Sequence, residues 1–145
     1  MRITLVILFI LLYASCEPHN KFNHRVFDIP KGTLLTAIDS LHNKHPHYRP
    51  PDKWRIYDGY SQRGYEFSSQ RRFYFPQPNE EMYYVSILAY NNKTRVVISA
   101  VHTNTGWHLE EDMPPDEITR IEKRFEDRII SKLEAVTNSR CTIED

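Results

Sequence analysis

The apolar positions of this chain change period several times, and each change marks an element. Residues Ile3 to Leu12 are almost unbroken apolar after the single basic Arg2. That run falls short of the about 20 residues that span a bilayer core, but it has the length and flanks of a secretory h-region. The polar stretch Glu17 to Asn23 follows and offers no second apolar face that could pack such a run as a core helix. The chain therefore divides into a signal peptide over 1–15, a polar tether over 16–23 and a single domain over 24–145.

Within the domain, His24 to Ile29 reads as a short strand stopped by Pro30, which cannot donate to a ladder. From Thr33 to Lys44 the residues Leu34, Ala37, Ile38 and Leu41 fall three and four apart, the spacing of one helix face. Pro46, Pro50 and Pro51 end that helix and force an extended loop. Trp54 to Tyr57 reads as a brief strand. Arg63 to Phe75 alternates aromatic with polar positions, which also argues for a strand.

The clearest local pattern is a hairpin, Met82 to Tyr90 and Thr94 to His102, turning at Asn92-Lys93. This register sets Ala89 against Val96, Ile87 against Ile98, Val85 against Ala100 and Tyr83 against His102. One face is then aliphatic. Trp107 to Leu109 resumes the sheet after a turn at Thr103 to Gly106. Asp116 is the expected N-cap of a last helix, whose stripe runs through Ile118, Ile121, Phe125, Ile129, Leu133 and Val136. The order β-α-β-β-β-β-α implies an α+β fold of two layers. An antiparallel sheet of about five strands carries two helices packed on one face.

Composition narrows the function classes. Nineteen basic and nineteen acidic residues balance, so no long-range field draws this chain to nucleic acid. Aromatics make up 12% of the chain, enough apolar mass for a packed core. Cys16 and Cys141 are the two cysteines. They do not make a disulfide scaffold, although an oxidising compartment would permit a bridge.

Leu12-Tyr13-Ala14-Ser15-Cys16 resembles the lipobox of bacterial lipoproteins. Tyr13 is larger than that family carries there, and ordinary cleavage after Cys16 is the alternative. The resemblance implies cleavage before Cys16 and lipidation of that residue. It also implies outer-membrane retention, because Glu17 stands where an aspartate would mark the inner membrane. Arg63-Gly64-Tyr65-Glu66-Phe67 partly resembles a strand of the RNA-recognition motif. Glu66, Ser68 and Gln70 break that pattern, and export argues against RNA.

Candidate chemistry is sparse. His42, His45 and His47 are close enough in sequence to share a metal ion. Pro46 interrupts them and no carboxylate or cysteine completes the shell, so neither metal nor cofactor is expected. No nucleophile, base and orienting acid fall at catalytic spacing, so an enzyme is not expected either. The candidate interface is the aromatic and arginine segment Trp54, Arg55, Tyr57, Tyr60, Arg63, Tyr65, Phe67, Arg71 and Arg72, the residue types that anchor protein contacts. The expected protein is a small periplasmic lipoprotein, anchored at the outer membrane or else secreted, acting as a protein-binding or inhibitory, immunity-like module. Its partner would be another envelope protein or a secreted one, with membrane contact only through lipid on Cys16. A structural accessory subunit of an envelope assembly is the alternative.

Overall fold

The computed structural model describes residues 21–54 and 68–144. Its strands are β1 (His24–Phe27), β2 (Ser68–Phe75), β3 (Glu81–Tyr90), β4 (Lys93–Thr103), β5 (Gly106–His108) and β6 (Cys141–Glu144). Its helices are α1 (Lys31–Lys44), α2 (Pro115–Phe125) and α3 (Ser131–Thr137). All pairings are antiparallel. The sheet runs β2-β3-β4-β1-β6, with β5 beside the far end of β4. The expected α+β class and antiparallel sheet are present. The order differs at the end, where the chain returns to the sheet as β6.

Pro30 holds extended backbone at the entry to α1. Its fixed φ lets the helix begin two residues before the expected Thr33. Leu34, Ala37, Ile38, Leu41 and His42 form the buried stripe. Pro46 then opens a 3-10 turn, Pro46–Tyr48, which puts Tyr48 into the core beside Phe75 at 5.8 Å. Trp54 lies in a 3-10 turn, and the rest of the brief strand expected there, residues 55–57, lies outside the described residues.

The hairpin exists, but its register differs from the expected one. Lys93 pairs with Tyr90, so the turn is Asn91-Asn92, with Asn91 at φ 55°, a backbone state asparagine tolerates. Ile87 therefore faces Val96 and Val85 faces Ile98. This is a slip of two, which keeps every side chain on its expected face. A bulge beside Tyr84 and Val85 then leaves Ser99 without a cross-strand partner. Beyond it Tyr83 faces Val101 and Met82 faces His102, so Ala100 and His102 move to the opposite face from the one expected.

The last helix starts at Pro115 with Pro114 as N-cap, not Asp116. Proline lacks the N–H that would be orphaned there anyway, and Asp116 and Glu117 fall in the first turn, where the helix dipole favours acids. Helix α2 runs into α3 through a π-helical turn, Glu126–Ile130. The wider turn buries Phe125, Ile129 and Ile130 together. The Arg128 carbonyl accepts from the Tyr48 hydroxyl at 3.3 Å. The chain leaves α3 through Asn138 in the left-handed conformation, and β6 pairs along β1.

All three helices lie on one face of the sheet. That face carries Phe27, Phe73, Tyr83, Val85, Ile87, Val96 and Ile98, packed against Leu34, Ile38, Ile121 and Phe125. Burying each large apolar side chain contributes roughly 1.5–3 kcal/mol, so this layer contact carries most of the folding energy.

Candidate functional site

The face of the sheet away from the helices holds a chain of aromatic contacts. Trp54 meets His102 edge-on at 4.4 Å, and His102 meets Trp107 at 4.8 Å. Trp107 meets Tyr84 at 5.3 Å, while Trp54 also touches Tyr74 at 5.9 Å. The Arg72 guanidinium sits 5.3 Å over the Tyr84 ring, and Arg95 lies 4.4 Å over Tyr90 near the hairpin turn. Edge-to-face pairs of this kind add about 0.5–1.5 kcal/mol beyond burial and hold rings in fixed positions. Ser86 and Ser99 join across the same face at 2.5 Å, placed there by the bulge. Desolvation, with His108 nearby, lowers the pKa of His102 and favours its neutral form.

Three of the nine expected interface residues fall among the described ones. Trp54 is buried at 6% exposure and packs within the cluster. Arg72 belongs to the helix-free face. Arg71, its neighbour on a strand, points the other way and pairs with Asp39 of α1 at 3.0 Å. Arg55, Tyr57, Tyr60, Arg63, Tyr65 and Phe67 lie outside the described residues, as does Cys16.

The histidines do not converge. His42 turns inward against Phe73, with ring centroids 4.9 Å apart, whereas His45 and His47 gather around Tyr48 beyond the helix end. No group of three metal-ligating side chains occurs among the described residues. No described helix is long and apolar enough to cross a membrane. Cys141 is a free, half-buried thiol. Desolvation, with Glu126 and Glu134 nearby, pushes its pKa up to about 12. Since the thiolate is the reacting species, labelling by a disulfide reagent near pH 8 is expected to be far slower in the folded protein than in urea. Equal rates would show that the thiol is not shielded.

A second feature escaped the sequence reading. A cleft of about 600 Å³ opens between the β2–β3 loop, the β4–β5 turn and the start of α2. On one wall the buried Glu81 accepts from Arg124 at 2.7 Å, from the Tyr83 hydroxyl at 2.9 Å and from Arg120. Arg120 also binds Glu117 at 2.7 Å, which holds that carboxylate below its ordinary pKa. On the other wall His108 Nε2 lies 2.8 Å from the Thr105 hydroxyl and 3.1 Å from that of Thr103. The charges of the first wall are paired among themselves. A signal for it existed in the sequence: Arg120 and Arg124 are one helical turn apart, on a face that could meet one acid.

Comparison of the chain with protein-family models, with curated proteins and with solved structures gives no match.

Proposed function

We propose that this protein is an exported cell-envelope binding module, tethered through lipid on Cys16, that captures another protein on the helix-free face of its sheet. The observation that carries this reading is the half-buried set Arg72, Tyr74 and Trp107, held in place by the buried rings of Trp54, Tyr84 and His102, on the face away from α1, α2 and α3. Aromatic and arginine side chains on a rigid sheet are suited to anchoring a partner, because little conformational freedom remains to be lost on binding. The paired charges of the cleft give no comparable reason to favour catalysis. An inhibitor or immunity protein acting on a secreted enzyme is one concrete form of the module.

Two measurements test the reading. Intact mass of the mature protein from a fractionated bacterial host is expected to begin at Cys16 with acyl chains added. A soluble, unmodified product would remove the lipid tether. Crosslinked capture of envelope proteins is expected to weaken about tenfold or more in the double variant Arg72→Glu, Trp107→Ala, the scale of losing an interface anchor. Undiminished capture by a folded double variant would rule this face out.

A further inference from the structure

We propose that His42 is an acid-released latch that holds the end of α1 against edge strand β2. Among the described strands β2 stands at one end of the sheet order, with β3 on its paired side. Such an edge presents backbone groups that could pair with another chain. Here side chains occupy it: the Gln70 carbonyl accepts from Arg71 at 3.1 Å, and the Arg72 carbonyl hydrogen-bonds the His42 ring. Below His42 the 3-10 turn continues along the same strand, with Tyr48 against Phe75.

The latch works with a neutral ring. His42 is 8% exposed, its ring lies on Phe73, and its Nε2 has no hydrogen-bond partner. The charged groups facing it are Arg49 from the segment after the 3-10 turn, Arg71 from β2 and Asp39 from its own helix. Asp39 is already taken by Arg71 at 3.0 Å. A proton on His42 would therefore add a third cation, with no free acceptor for its second N–H. Burial, reinforced by Arg49, accordingly lowers the His42 pKa from 6.5.

The direction of the pH effect follows. Above pH 6.5 the ring is neutral whether α1 is seated or released. As pH falls below 6.5 the released form takes up its proton first, so the seated form loses stability down to the lowered pKa of the seated ring. Each unit of separation between the two values weakens local protection tenfold. The release would uncover β2 for backbone pairing, and it depends on neither export nor a partner.

Hydrogen exchange, read as protection factors at pH 7.5 and pH 5, tests this in the full domain. The expected result is lower protection at pH 5 in β2 and in the end of α1, with β4 and β1 unchanged. The variant His42→Phe, which fills the same apolar site without titrating, is expected to keep its protection at pH 5. Equal loss in both proteins, or no local loss in the wild type, would overturn the latch. If His42→Phe fails to fold, the ring titration of His42 by NMR decides. A value well below that of an exposed histidine supports the latch, and a value at or above 6.5 overturns it.

Discussion

Arg25→Leu is expected to lower the free energy of unfolding by about 3–5 kcal/mol, the usual result of removing one partner from a buried ion pair. The guanidinium is 1% exposed and lies on the helix-covered face of β1. It bonds Glu122 through Nη2 and Glu126 through Nε at 3.0 Å, with its Cζ 5.4 Å from the centre of the Phe125 ring. Glu122 is itself buried and also accepts from the Asn23 backbone at 2.9 Å and its side chain at 3.1 Å. Leucine would leave that carboxylate facing apolar neighbours with two amide donors and no cation. Urea unfolding measures the loss, and a companion variant identifies its cause. Arg25→Leu with Glu122→Leu removes the orphaned charge, so it should recover part of the stability. A double variant weaker than the sum of the two single ones would mean that the arginine acts by packing alone, through Phe125.

The same residues show how much of this fold the sequence disclosed. The strand of Arg25 and the helix of Glu122 and Glu126 were both legible, but the sequence reading singled out none of these three residues. Joining them required knowing that β1 lies in the sheet beneath α2, which no local pattern encodes. The hairpin was legible because its two apolar runs are long and share a short polar turn. Its register was not, because the turn falls at Asn91-Asn92, one residue before the expected pair, and the bulge beside Tyr84 and Val85 has no signal in the local pattern. Strand β6 was missed for a plainer reason. Four residues with an exposed Ile143 carry no alternation to read, and the strand is recruited by the open backbone of β1. Of the nine candidate interface residues, the three described ones do not share one surface. Consecutive strand residues must diverge, so Arg71 pairs with Asp39 on the helix side while Arg72 lies over Tyr84, and Trp54 is buried in the aromatic packing.

Glu81→Ala is the second change expected to have a large effect, again about 3–5 kcal/mol, because Glu81 gathers three donors at 2% exposure. It ties the start of β3 to α2 through Arg120 and Arg124, and among the described residues Arg124 otherwise meets the Asn79 carbonyl at 3.1 Å, with Phe75 beneath it. Desolvation and Glu81 together push the Tyr83 phenol up, so that hydroxyl stays a donor across the physiological range. Deleting the carboxylate strands a buried phenol and a nearly buried guanidinium at once. Glu81→Gln keeps the shape and one acceptor, so it should cost less than alanine but more than a surface change. Glu117 adds a pH signature. Its lowered pKa means that its share of stability is complete above 4.5 and is lost as pH falls through the lowered value. Glu81→Ala frees Arg120 to bind Glu117 alone, which preserves that acid limb while the whole curve drops. Loss of the acid limb along with the stability would instead show that Glu81, not Arg120, holds the first turn of α2 in place.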